Sequence, residues 1–398
     1  MNKFLNTIFF VSIFFPYINI FQLPTDTQPN AIVFLILLLL TYKKLKLDVK
    51  DYWLIGLSFV GIVISLINGI NLNTMRSLYG YITIPIIIII SSNINYKKYF
   101  SKKLLYAIVW TWLLVAVVQY FGDKSFLTFL ISNSRTTDDR GVTSLAAEPS
   151  YYGIVLIFIY LFNLMSYNCK KIKFLIAFQV IFLAQSFMTM FYFLGLVSLD
   201  LFFNLNIKRK IIAIFLAVGG CVFVFQIINS SENRIFHLID TLLNDGPRLL
   251  FFYDASANER LAHIYISFKG CFDNYFLPNG FSAWEKYYIE TANNSSFFWF
   301  TRKSTRIMST YGGMLFEVGF FGFIYIVIIN YNFFKLRKYI GHNYITILVF
   351  VNLFLCTAIP LAFPILPFLV GYCSSKNKLS VSKKEILSYE DISNNCNI

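Results

Sequence analysis

The chain has 398 residues and a formal net charge of +14, with 57% hydrophobic residues against 14% charged. Soluble domains carry about 25% charged residues, so a soluble enzyme, a secreted disulfide scaffold and a disordered chain are all excluded. The apolar runs are continuous rather than alternating, which disfavours a β-barrel and predicts an all-α polytopic membrane protein.

A membrane helix needs about 20 mostly apolar residues. Twelve runs answer to that: 4–21, 29–42, 52–70, 77–94, 105–121, 150–167, 174–186, 187–206, 211–229, 308–329, 343–357 and 359–373. The first lacks a small-x-small cleavage site and reads as an anchor. The seventh and eighth share one run, broken only around Gln185 and Ser186. The last two are joined through Pro360, with Pro364 and Pro367 following. The expected organisation is a bundle over 1–229 that includes an external loop at 122–149, a large folded external loop at 230–307, three further spans over 308–373, and a polar tail at 374–398. No internal repeat of the inverted-transporter kind is visible.

With the N-terminus in the cytoplasm, 22 of the 34 basic residues fall in internal segments, and both termini are internal. Topology thus explains most of the positive charge, and the bilayer rather than nucleic acid is the expected partner. Cys271 is then the only external cysteine, so no external disulfide can close within the chain. Arginine does not follow lysine. Eight of ten arginines are external (Arg76, Arg135, Arg140, Arg234, Arg248, Arg260, Arg302 and Arg306), against four of 24 lysines. The topology rule treats the two alike, whereas the guanidinium fork suits phosphate and carboxylate. The group predicts an external anion site; pairing with external carboxylates or with headgroups is the competing account.

From Arg135 to Gly153 the sequence reads RTTDDRGVTSLAAEPSYYG. Glu148 precedes a proline suited to the first helical position. Its carboxylate either stabilises that helix N-terminus or, beside Arg140, orients a sugar hydroxyl or acts as a base. Tyr151 follows as a candidate substrate contact.

In the large loop, 234–243 places Ile235, Leu238, Ile239 and Leu242 on one helical face. In 259–273, Leu261, Ile264, Phe268 and Phe272 form the expected buried stripe, with Arg260, His263 and Ser267 as a ligand-facing row opposite. His263 is an acid/base candidate, or simply structural. A turn at Leu277-Pro-Asn-Gly280 leads to Trp284, Tyr287, Tyr288 and Trp299, which either stack on sugars or pack at the membrane interface. If 302–317 is one helix, Arg302, Arg306, Ser309, Gly313 and Glu317 fall within about 80° of arc, with Glu317 about two turns beneath the arginines. Such an intramembrane carboxylate is either functional or a Glu–Arg tie.

Walker and Rossmann patterns and a His-Glu-x-x-His motif are absent, and there are three histidines, His237, His263 and His342. No cofactor and no metal are expected. The stretch Arg140-Gly-x-x-Ser-Leu-x-x-Glu-Pro-Ser-Tyr-Tyr-Gly at 140–153, the large loop and the Gly-x-x-x-Glu-x-Gly helix at 313–319 together resemble the O-antigen polymerases of the Wzy type. The resemblance implies a glycosyltransferase of lipopolysaccharide biosynthesis at the periplasmic face of the bacterial inner membrane. Its substrate would be an undecaprenyl-pyrophosphate-linked oligosaccharide, and a chain-length regulator protein its partner. Arg135, Arg140, Arg260, Arg302 and Arg306, with Tyr151 and Trp284, would hold pyrophosphate and sugar. Glu148, His263 and Glu317 would be the catalytic candidates. The related O-antigen ligases carry a His-Asn pair before the late helix, where this chain has Met308-Ser309-Thr310, which points to polymerase over ligase. A lipid-linked oligosaccharide flippase is the non-enzyme alternative, against which the 78-residue loop argues.

Overall fold

The structure is a computed structural model that describes residues 2–20, 28–30, 36, 45–132, 134–135, 141–204, 241–242, 244–300, 304, 306–357 and 359–376. Nearly all of the expected span 29–42, all of 211–229, most of the expected helix 234–243, Arg140, Arg302 and the tail beyond 376 lie outside the described residues.

The described residues are helical, with no strand beyond a single bridge between Ile18 and Ile131. In chain order the α-helices of more than four residues are α1 Asn2–Phe14, α2 Val49–Ile67, α3 Leu72–Asn93, α4 Lys102–Phe121, α5 Pro149–Ser166, α6 Lys170–Phe178, α7 Phe187–Asn204, α8 Pro247–Tyr253, α9 Ala255–Asp273, α10 Trp284–Asn293, α11 Thr310–Val318, α12 Phe321–Lys335, α13 Asn343–Thr357 and α14 at 365–376. Four of them, α2 to α5, are long and apolar enough to cross a membrane. The starts follow capping chemistry. Asn71 accepts the Thr74 N–H (2.9 Å), Ser101 that of Leu104 (3.2 Å), Asp254 that of Ala257 (2.8 Å) and Ser309 that of Gly312 (2.9 Å).

α5 is the centre of the bundle. Every residue from Tyr152 to Met165 is buried, as expected of a helix that is apolar all round. Trp112 of α4 stacks on Tyr152 (5.5 Å), and Phe162 meets Phe14, Phe100 and Phe368 (5.1–5.6 Å). By contrast α2 leaves Trp53, Phe59 and Leu66 exposed, a face suited to lipid.

The lysine-rich segments meet one another at one end. Lys46 N–H donates to Asn93 Oδ1 (2.9 Å), Lys50 Nζ to Asn332 Oδ1 (2.9 Å), Tyr167 OH to the Phe100 carbonyl (2.6 Å) and Tyr339 OH to the Lys376 carbonyl (3.2 Å). Each pair joins two segments that the charge pattern assigns to the same side.

Two expectations need correction. The run 302–317 is not one helix, because Ser309 caps a helix that begins only at Thr310. The expected span 308–329 breaks at Gly319, whose φ of +60° is one that L side chains rarely adopt. The turn before Gly280 docks there: Asn279 and Gly280 N–H donate to the Phe316 and Glu317 carbonyls (3.0 and 3.2 Å), and Phe320 N–H donates to Phe276 O (2.8 Å). The first two bonds satisfy carbonyls that the end of α11 leaves open, and the third satisfies an amide at the start of α12. Within the expected external loop 122–149, residues 141–147 are all buried.

Candidate functional site

The segment 141–147 carries no charge and enters the bundle as irregular backbone. Inside an apolar bundle its polar groups need partners, and polar side chains and an open helix turn supply them. Gln119 of α4 accepts the Ser144 N–H (2.7 Å) and donates to the Ser144 carbonyl (3.1 Å), while Ser144 Oγ donates to the Trp112 carbonyl (2.8 Å). α6 continues as a π-helix over Gln179–Ala184 and stops at Gln185, whose φ is +44°. Val142 N–H donates to Leu183 O in that π turn (2.9 Å), a use of carbonyls that wider helical turns permit. A Cβ on Gly141 would lie 2.5 Å from the Leu183 oxygen, so this approach requires glycine.

This anchored segment delivers Glu148 to the N-cap of α5, with Pro149 at the first helical position. Two guanidinium groups converge on the carboxylate from different parts of the chain. Arg135 Nε is 3.9 Å from Oε2, and a terminal nitrogen of Arg260 on α9 is 3.7 Å from Oε1. At such separations the contacts are ion pairs rather than tight hydrogen bonds. Ser150 Oγ donates to Oε1 (2.5 Å). The Arg135 amide donates to Ala147 O (2.7 Å), and its guanidinium lies over the Tyr151 ring (5.7 Å), which stacks on Tyr17 (5.6 Å, 10°). The Glu148 side chain is 15% exposed, Arg260 19% and Arg135 50%, so the cluster opens on the Arg135 side.

α9 connects this cluster to the rest of the expected external loop, and its most buried face is not the one expected. The buried residues are Asn258, Ala262, His263, Ile266, Ser267, Gly270 and Cys271, while Phe272 is exposed. Small residues let α9 approach α11 closely. A Cβ on Gly270 would lie 2.5 Å from Phe316, and one on Gly312 would clash with Ser267. Of the expected stripe, Leu261 and Phe268 are half-buried against the core, and only Phe272 turns outward.

His263 is fully buried between Trp284 (5.3 Å) and Tyr288 (4.7 Å), and the Met308 amide is 3.4 Å from its Nδ1. That donor leaves the ring proton on Nε2. Burial, reinforced by the Arg260 charge three residues earlier, pulls the imidazole pKa down to about 3, so the ring is neutral near pH 7. His263 Nε2, Trp284 Nε1 and Tyr288 Oη are buried without a hydrogen-bond partner among the described residues. Trp284, expected as an external sugar platform, is 1% exposed and packs edge-on against Phe316 (5.3 Å).

Glu317 is a separate site. Its carboxylate accepts from Tyr81 OH (2.8 Å) and Ser77 Oγ (3.2 Å), both on α3. Arg306 does not share a helix with Glu317, because it belongs to the non-helical run before α11, where its carbonyl accepts from Ser304 Oγ (2.8 Å); Arg302 lies outside the described residues. Ser77 and Tyr81 had a sequence signal that went unused: two hydroxyls at i and i+4 inside an apolar span. The structure therefore joins Arg135, Glu148, Tyr151 and Arg260, places His263 and Trp284 behind Arg260, and keeps Glu317 apart.

Among the described residues no three of His, Cys, Asp and Glu form a group suited to a metal ion. No protein-family model matches this chain, and no curated protein matches it. What the cluster offers chemically is one carboxylate at a helix N-terminus between two cations. Its net positive charge can hold an anion, and Glu148 can orient or deprotonate a hydroxyl.

Proposed function

We propose that this chain is a membrane glycosyltransferase of the O-antigen polymerase type, with twelve spans and both termini in the cytoplasm of a bacterium. It would act at the periplasmic face of the inner membrane on undecaprenyl-pyrophosphate-linked oligosaccharides. The observation that carries this reading is the convergence of Arg135 and Arg260 on Glu148 beside Tyr151. In the proposed step the acceptor hydroxyl oxygen bonds to the anomeric carbon of the growing glycan as the bond from that carbon to the pyrophosphate oxygen breaks. The hydroxyl proton passes to Glu148, and the charge developing on the leaving pyrophosphate meets the guanidinium of Arg260, with Arg135 at the rim. His263, neutral and enclosed by aromatic rings, supports Arg260 from the same helix rather than exchanging protons. Glu317 has a packing role in this reading.

The test is a size ladder of the surface glycan with and without the gene, and with Arg260→Lys supplied in place of the wild type. The deletion should leave single repeat units, and Arg260→Lys should shorten chains although charge is kept, because the planar fork is lost. Long chains persisting in the deletion would overturn the proposal. Loss of all surface attachment would make the protein a ligase, and lipid translocation without elongation would make it a flippase.

A further inference from the structure

The lysine-rich end carries a feature that the glycosyltransferase reading does not use. A cleft of about 610 Å³ lies between α4 and α6, lined by Tyr106, Trp110, Lys170, Lys171, Phe174 and Leu175. Its floor is tied by the Tyr106 hydroxyl against Cys169 Sγ (3.0 Å), immediately before α6. Both helices begin here, α4 at Lys102 and α6 at Lys170, so two positive dipole ends face the same region. Lys102 Nζ adds a third cation, 6.0 Å from the centre of the Tyr106 ring.

The lining is graded along the helix axes. Lys170 and Lys171 occupy the first turn of α6, and Phe174 and Leu175 lie one turn further on; Trp110 lies one turn beyond Tyr106. Lys170, Lys171, Trp110 and Phe174 are exposed. A small soluble anion would use only the cations. Cations followed by apolar rings one turn deeper match an amphiphile whose anionic head is joined to acyl chains, and basic pockets between membrane helices take such headgroups.

We propose that this cleft binds an anionic phospholipid, with its phosphate at Lys170 and Lys171 and its acyl chains against Trp110 and Phe174. The proposal rests on the membrane reading alone and is independent of the glycan chemistry.

Native mass spectrometry of the full chain in mild detergent tests it, with phosphatidylglycerol and phosphatidylcholine of matched acyl chains as probes. Wild type should retain phosphatidylglycerol in preference to phosphatidylcholine. K170Q/K171Q should weaken that binding roughly thirtyfold, about fivefold for each lysine near a membrane surface. K97Q/K98Q, which removes two lysines of the same end outside the cleft, should leave it unchanged. Equal retention of both lipids, or equal loss in the two double variants, would overturn the proposal. So would glycerol 3-phosphate binding as tightly as phosphatidylglycerol, since the site would then take a free phosphate. The readout involves no glycan, so this result and the chain-length result can fail separately.

Discussion

Glu148 and Glu317 are both carboxylates removed from bulk water, yet their settings share almost nothing. Glu148 stands at a helix start between two guanidinium groups, in a cluster that opens on one side. Glu317 is buried within the bundle and is held by two neutral hydroxyls from a neighbouring helix. A buried charge needs partners of opposite sign or several good donors, and the two sites take different solutions. Cationic partners drawn from a loop and from α9 leave a cluster with net positive charge. Hydroxyl partners from one helix make a fixed tie between α3 and α11.

The contrast can be broken by substitution. The largest effect is expected for Glu148→Gln and Arg260→Lys, each lowering elongation by about 10² or more, in line with loss of a general base or of a charge-stabilising donor; lipid-linked elongation in membranes measures it. Rates within a few-fold of wild type for both would remove the Glu148 cluster from the chemistry. Next is Gly270→Ala, which forces a methyl against Phe316 and Tyr287 and should cost about 1–3 kcal/mol by overpacking, read as a lower melting temperature in detergent.

A smaller effect concerns pH. His263 has a depressed pKa of about 3 against an ordinary 6.5, so its contribution to stability is complete above pH 6.5 and is lost as pH falls toward 3. The melting temperature should fall over that window, and His263→Gln should flatten the fall. The smallest effect is expected for Glu317→Gln, which keeps an oxygen for Tyr81 and should leave elongation within about threefold of wild type. A hundredfold loss there would place the two carboxylates in one mechanism.

The composition and apolar runs made the helical membrane character legible, and several breaks as well. Gln185 and Ser186 interrupt an apolar run, and the backbone turns left-handed at Gln185. Glu148 before Pro149 is a legible N-cap. The faces of α9 were not, because burial in a bilayer protein does not follow apolarity: Phe272 points outward while Asn258 and Ser267 are enclosed. The arginine clamp was legible only as a class. Arg260 was named with reason, but the pairing of Arg135 with Glu148 depends on how 141–147 folds into the bundle, and that depends on Gln119, a single polar residue in a distant helix. Ser309 as a cap was visible in the sequence, and should have ended the expectation of a continuous helix from 302.

The docking of the turn at 276–280 onto the ends of α11 and α12 bears on how this protein can be rebuilt. Bonds from Asn279, Gly280 and Phe320 stitch that turn across the break at Gly319, and Gly270 and Gly312 interlock α9 with α11. A chimera joined at residue 307 would part surfaces shaped for each other. The modular boundary lies beyond Gly319, so a graft meant to exchange specificity should carry α11 along as part of the exported cassette.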